Sequence, residues 1–221
     1  MNIEQIKSCL ESENPQDRLK GLTELRRCDT DTAVPLLLSR IQDTAFIVRS
    51  FVAMGLGNKQ SPEAFEGLLT LLKNDPDYNV RAEAANSLAK YGEPAVETLV
   101  QTFRKDDNWL VRRSILAPMM DMPYTEALYQ ICVCALEGED LTVQNAALSG
   151  LANLADSART TEALQLLLDR VNDSWWMVRA QVAKSLHPFK DPQAIAALTY
   201  LRKDEDHRVV GAALEGSLYS A

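Results

Sequence analysis

Asp75-Pro76-Asp77-Tyr78-Asn79-Val80-Arg81 is the stretch whose reading decides the fold, because the chain repeats it. The same pattern reads DTAFIVR ending at Arg49, DDNWLVR at Arg112 and DSWWMVR at Arg179. Degenerate copies read GEDLTVQ ending at Gln144 and DEDHRVV at Val210, and an opening half-match ends at Arg18. Successive endpoints are 31, 32, 31, 32, 35 and 31 residues apart, a period at which supersecondary units stack.

Apolar residues follow each endpoint at +3, +4 and +7, the spacing of one helix face. The sets are Val52/Ala53/Leu56, Ala84/Ala85/Leu88, Ile115/Leu116/Met119, Ala147/Leu148/Leu151 and Val182/Ala183/Leu186. A second helical stretch precedes each Asp, as in Val34 to Ile41, Phe65 to Leu72, Val96 to Phe103 and Ala163 to Val171. Position +6 is small at Gly55, Ser87, Gly150, Ser185 and Gly216, which suits close approach of a neighbouring backbone. No segment alternates with period two, so no sheet is expected. The reading is all-α: a right-handed α-solenoid of about seven antiparallel helix pairs, in which each pair buries its apolar face only by borrowing its neighbours' surfaces. It is expected to form a single domain, 1–221, with units at about 2–28, 30–59, 61–91, 92–122, 123–156, 159–190 and 191–219.

The 221 residues carry 23 Lys and Arg against 31 Asp and Glu, a formal charge of −8, and 46% are hydrophobic. That composition excludes a disordered or collagen-like chain. The acidic balance argues against a nucleic-acid partner, since phosphates need a basic face. No apolar run approaches the roughly 20 residues of a membrane span, and the first residues lack a secretory signal's basic start and apolar stretch, so a cytoplasmic location is expected. Cys9, Cys28, Cys132 and Cys134 are too few and too irregularly spaced for a disulfide framework; free thiols are expected.

An Asp, then Val-Arg six positions on, then an Ala-rich helix at a step of 31 or 32 resembles the HEAT repeat. With an aromatic ahead of the Val-Arg pair, the pattern is similar to the short HEAT-like units of the phycobilisome-lyase group, which includes bilin lyase subunits, phycobilisome-degradation proteins and adaptors. The resemblance extends over nearly the whole chain and weakly implies a cyanobacterial source. The first-helix proline of HEAT repeats is matched by Pro35 alone; Pro94 and Pro192 begin their helices instead.

The Asp at the sixth position before each endpoint falls in a turn, where its carboxylate can accept backbone N–H groups at the start of the second helix. The Arg, on that helix's first turn, can reach an Asp of its own or an adjacent unit, so Asp43, Arg49, Asp75, Arg81, Asp106, Arg112, Asp173 and Arg179 are read as a structural ladder. The fifth unit departs from it: Gln144 replaces Arg and Gly138 takes the Asp position. Pro118, inside a helix at a +6 position, is expected to kink or end it, and residues 117–124 to bend the stack.

Second helices line the concave wall of HEAT-like solenoids, and +1, +2, +5 and +8 should face outward there. The candidate protein- or bilin-binding face is therefore Phe51, Met54, Glu83, Asn86, Arg113, Met120, Asn145, Gln181 and Lys184, with Ser114, Ala117 and Ser149 on the same ridge. Apolar residues and flexible Met on such a face suit protein contacts. Three before each endpoint stands a ring or its substitute, Phe46, Tyr78, Trp109, Leu141, Trp176 and His207, read as a seal over the turn between helices. Trp175 has no counterpart in other copies and is the candidate exposed aromatic anchor.

Catalytic constellations are missing from the pattern. His187 and His207 lie in different units without a partner for a triad, and Cys132 and Cys134, two apart on a helix, diverge by about 200°, so no metal site is expected. Gly55-Leu56-Gly57 follows no strand and is no dinucleotide loop. The leading expectation is a non-catalytic scaffold, adaptor or assembly chaperone holding a protein partner in its concave face, with no cofactor. The resemblance implies two alternatives: a bilin lyase or lyase subunit holding phycocyanobilin or a related bilin, with Arg113 at a propionate and Trp175 stacked on the pigment, or a phycobilisome-degradation factor. The partners it implies are a phycobiliprotein or a second HEAT-like chain.

Overall fold

A computed structural model describes residues 1–215 of the chain. Gly216, read above as a small +6 residue, lies outside the described residues. The chain forms two compact units, Met1–Pro118 and the remainder from Met119. The first holds α1 (Ile3–Leu10) and α2 (Pro15–Glu24), α3 (Thr30–Leu38) and α4 (Phe46–Asn58), α5 (Pro62–Asn74) and α6 (Tyr78–Ala89), and α7 (Glu93–Lys105) and all but the last two residues of α8 (Trp109–Met120). The second holds α9 (Thr125–Glu137) and α10 (Leu141–Ala152), α11 (Thr160–Leu168) and α12 (Trp176–Leu186), and α13 (Pro192–Leu201) and α14 (His207–Glu215). A 3₁₀ turn, Leu25–Arg27, extends α2. These are seven helix pairs, and no strand occurs among the described residues.

Local chemistry starts the helices where the repeat requires. Asn2, Asn14, Asp29, Ser61, Asp77, Asp140 and Asp191 accept backbone N–H groups as N-caps, while Pro15, Pro62, Pro94 and Pro192 stand in first turns, where their missing N–H costs nothing. Pro35 and Pro118 instead lie inside α3 and α8. Pro118 does not stop its helix: α8 runs two residues further, and the boundary between the two compact units falls directly after this proline.

Every +3, +4 and +7 residue quoted above is buried, so the 3.6-residue period carries directly into packing. Two of the small +6 residues, Gly55 and Gly150, face the first helix of their own pair. A Cβ on Gly55 would lie 2.5 Å from Leu37 Cδ2 on α3, and one on Gly150 would lie 3.0 Å from Cys132 Sγ on α9. Gly57 serves the neighbouring pair, since a Cβ there would come within 2.5 Å of Ser87 Cβ and 3.0 Å of its Cα on α6.

Four rungs of the ladder join one helix pair to the next. Arg18 pairs with Asp43, Arg49 with Asp75, Arg81 with Asp106 and Arg179 with Asp204, each through Nε at 2.6 to 2.7 Å. Arg49, Arg81 and Arg179 also donate to the main-chain carbonyl of their own unit's Asp, at Asp43, Asp75 and Asp173. Each Asp accepts the N–H two residues on, at Ala45, Asp77, Asn108, Trp175 and Asp206, which is the residue at the helix boundary and not yet the helix itself. Arg179, first, and then the Asp206 N–H hold the Asp204 carboxyl below its ordinary range despite burial. At Asp43 burial pushes the other way and is outweighed by Arg18 and the Ala45 N–H.

Arg112 and Asp173 depart from this scheme. Arg112 donates through Nε to Asp106 O at 2.7 Å and lies over the Phe103 ring; the residue one rung further in sequence is Gly138, which has no carboxylate to offer. Gln144 likewise reaches the Gly138 carbonyl, and Asp173 faces Arg170 at 3.7 Å.

Candidate functional site

Adjacent second helices α2, α4 and α6 of the first unit pack side by side. Where α4 meets α6, and Leu110 and Ser114 of α8 close the far side, a hollow of about 380 Å³ opens. Phe46, Ile47, Phe51 and Met54 form its α4 wall, and Asn79, Glu83 and Asn86 its α6 wall. On the other flank of α4 a second hollow, of about 240 Å³, is floored by Leu22, Leu25, Leu37 and Gly55 and edged by Arg26, Asn58 and Lys59. Phe51 and Met54 line both, so one apolar ridge separates two concavities.

Four residues of the expected face, Phe51, Met54, Glu83 and Asn86, are thereby brought together. Met54 and Asn86 are exposed, while Phe51 and Glu83 are half-buried. Burial raises the Glu83 carboxyl above its ordinary value, against the smaller opposing pulls of the Ser87 hydroxyl, 3.4 Å away, and the Lys90 charge. Arg113 is exposed on α8 without lining either hollow. The remaining members lie in the second unit: Asn145 and Lys184 are exposed, Gln181 is half-buried and donates to Ser185 Oγ, and Met120 is half-buried with its carbonyl accepting from Asn153.

The aromatic expectations need correction. Trp175 is half-buried, because it is the boundary residue of α12, with its N–H held by Asp173. The exposed side chains are those of the repeated stripe: Phe46 is 44% exposed, Trp109 45%, Tyr78 46% and Leu141 50%. Each of these begins its second helix instead of sealing the turn. Trp176 is the exception, half-buried with the Arg208 guanidinium 3.3 Å from its ring centroid. The sequence did hold a signal for Phe46: residues 46, 50 and 54 are four apart, so the stripe continues the outward ridge back to the helix start.

The second unit has an exposed apolar face of its own on α13, where Ile195 and Tyr200 are each 59% exposed.

Among the described residues no three His, Cys, Asp or Glu side chains gather where they could hold a metal ion. His187 Nε2 lies 2.8 Å from the Ala212 carbonyl, His207 is exposed at the start of α14, and burial pushes the Cys132 thiol up to about 12. All four cysteines are free thiols. No helix of the described residues is long and apolar enough to cross a membrane.

A family model described as HEAT repeats matches residues 34–118 and 130–218. Over 125 residues the chain is 30% identical to deoxyhypusine hydroxylase-B of Oryza sativa subsp. japonica, a match taking in 55% of this chain and 41% of that protein. The chain thus spans about two-fifths of the length of this curated relative. Among solved structures, YibA of Escherichia coli is similar with a TM-score of 0.66 at 20% identity, covering 100% of this chain and 88% of that one. The complex of CpcE and CpcF of phycocyanin lyase from Nostoc sp. PCC7120 is similar with a TM-score of 0.55 at 21% identity, covering 99% and 87%. At such identities the likeness is one of fold. The repeated Asp–Arg rungs, the seven helix pairs and the two matched segments lead to one assignment: the protein belongs to the HEAT-repeat family.

Proposed function

We propose that the protein is a non-catalytic interaction scaffold, an adaptor or assembly chaperone of the cytoplasm, and that the α4–α6–α8 face of its first unit holds a protein partner. The observation that carries this reading is the double hollow about Phe51 and Met54, where apolar side chains stand open to solvent beside the polar Glu83 and Asn86. Such a mixture matches the anatomy of protein interfaces, an apolar centre within a polar rim. The partner class is supported by the CpcE–CpcF likeness, since that solved structure is itself a complex of two proteins.

A second reading, a bilin lyase subunit or a factor handling phycobiliproteins, draws on the motif's resemblance and the same likeness. In that reading the pigment extends from the larger hollow over the neighbouring surface of α8, where the exposed Arg113 and Trp109 serve as propionate partner and stacking ring, in place of the half-buried Trp175.

Affinity purification of the tagged chain from its native cell, with bound proteins identified by mass spectrometry and pigment by absorption, tests both. Phe51→Ala with Met54→Ala should reduce recovery of the main partner about tenfold or more, the loss expected when interface anchors are truncated. Equal recovery with the doubly substituted chain contradicts the scaffold surface; a visible-band pigment that leaves with those substitutions favours the second reading.

A further inference from the structure

The two hollows beside Met54 have rims of opposite charge. On the α2 side stands Arg26, exposed, whose guanidinium makes no hydrogen bond or ion pair among the described residues. Two acids lie near this rim and both are engaged: Glu24, which feels the Arg26 charge, is held by the Met1 amino group and Arg27, and Asp29, which feels the Lys59 charge, accepts the Thr32 N–H. Lys59, at the same rim, donates to the carbonyls of Arg26 and Cys28, which keeps its ammonium at the mouth. On the α6 side the charge is Glu83, in a wall otherwise of Asn79 and Asn86. Lys90, which pulls on Glu83 from along its own helix, is tied to Asn58 Oδ1 at 2.8 Å.

Resting on the scaffold reading above, we propose that this face takes one kind of occupant: an extended segment of a protein partner with two apolar side chains, one per hollow, acidic residues beyond the first and basic residues beyond the second. Charge complementarity sets the order, acid over Arg26 and Lys59, base over Glu83. The hollows flank one helix, so the anchors lie about 8–10 Å apart, the spacing of packed helices. A polyproline II segment places residues i and i+3 on one side at about 9 Å, which fits that gap with no coiling or folding cost. The apolar residues supply affinity, and the rims decide which way round the segment lies.

Fluorescence anisotropy with labelled peptides tests this directly. The probes are EELPPLKK, EELPPLEE and KKLPPLKK, equal in length and apolar content. The intact chain should bind the polarised EELPPLKK about fivefold tighter than either uniformly charged peptide, the effect of about 1 kcal/mol expected when the exposed ion pairs at one end are lost. Arg26→Glu should shift the preference to KKLPPLKK and Glu83→Lys to EELPPLEE, while Glu83→Gln, with less disturbance of a half-buried site, should erase the gap between EELPPLKK and EELPPLEE. Equal binding of all three peptides, no binding by any of them, or an order indifferent to Arg26 and Glu83 overturns the proposal. If the order is indifferent yet Phe51→Ala with Met54→Ala still loses the native partner, the polarity fails and the scaffold reading stands; if neither responds, both fail.

Discussion

Asp75→Ala is expected to lower the unfolding free energy by about 3–5 kcal/mol, the cost of leaving a buried charge without its partner. The Asp75 side chain is 3% exposed and accepts from Arg49 Nε at 2.6 Å, Arg49 Nη2 at 2.9 Å and the Asp77 N–H at 2.9 Å. Removing the carboxylate strands the Arg49 guanidinium, itself 12% exposed, and orphans the N–H that sets the start of α6. The residual bond from Arg49 to the Asp43 carbonyl cannot neutralise the charge. Urea denaturation measures the loss directly, and Lys7→Ala serves as control. Lys7 pairs with Glu4 at 3.1 Å where both side chains are well exposed, and such pairs are worth less than about 1 kcal/mol. A loss at Asp75 no larger than at Lys7 would mean that the rungs decorate the stack without joining its units.

The second large effect belongs to Phe103, fully buried at the end of α7. Phe103→Ala should cost about 3–5 kcal/mol, combining lost transfer energy with the cavity left behind. Its ring also lies under Arg112, 5.7 Å from guanidinium carbon to centroid, where the ladder lacks its next carboxylate. Phe103→Leu, which keeps most of the volume, should cost under about 1.5 kcal/mol. Denaturation of the two variants side by side gives both numbers; equal losses would contradict this, showing that the ring's shape and its contact with Arg112, and not its volume, carry the stabilisation.

How much of this was legible in the sequence differs from one residue class to the next. Helix pairs, buried +3/+4/+7 residues and rungs follow from period and stereochemistry, because a residue that recurs every 31 or 32 positions meets the same neighbours each time. Spacing alone allows a rung partner in the Arg's own or an adjacent unit; side-chain length settles it, with the guanidinium reaching the next Asp carboxylate and its own Asp only at the carbonyl. The division after Pro118 was marked by the missing Asp at Gly138 and the missing Arg at Gln144, yet a missing pair does not say whether a stack bends, relaxes or divides. Uniqueness within a repeat does not confer exposure: Trp175, matched in no other copy, is a helix-boundary residue held by Asp173. Phe46 and Ile47 escaped the expected face because the ridge was counted forward from the endpoint only, and the cationic rim at Arg26 comes from the degenerate first unit, where no repeat position marks it.

Function rests on the claim that the α4–α6–α8 face is the surface that touches the partner. Hydroxyl-radical footprinting of the chain alone and in complex with its purified native partner tests it most directly, since methionine and aromatic rings report their own exposure. The account predicts that the partner suppresses oxidation of Met54, Phe46 and Trp109 and leaves Tyr200, on the competing apolar face of α13, as reactive as before. Protection of Tyr200 with Met54 and Phe46 unchanged would contradict it.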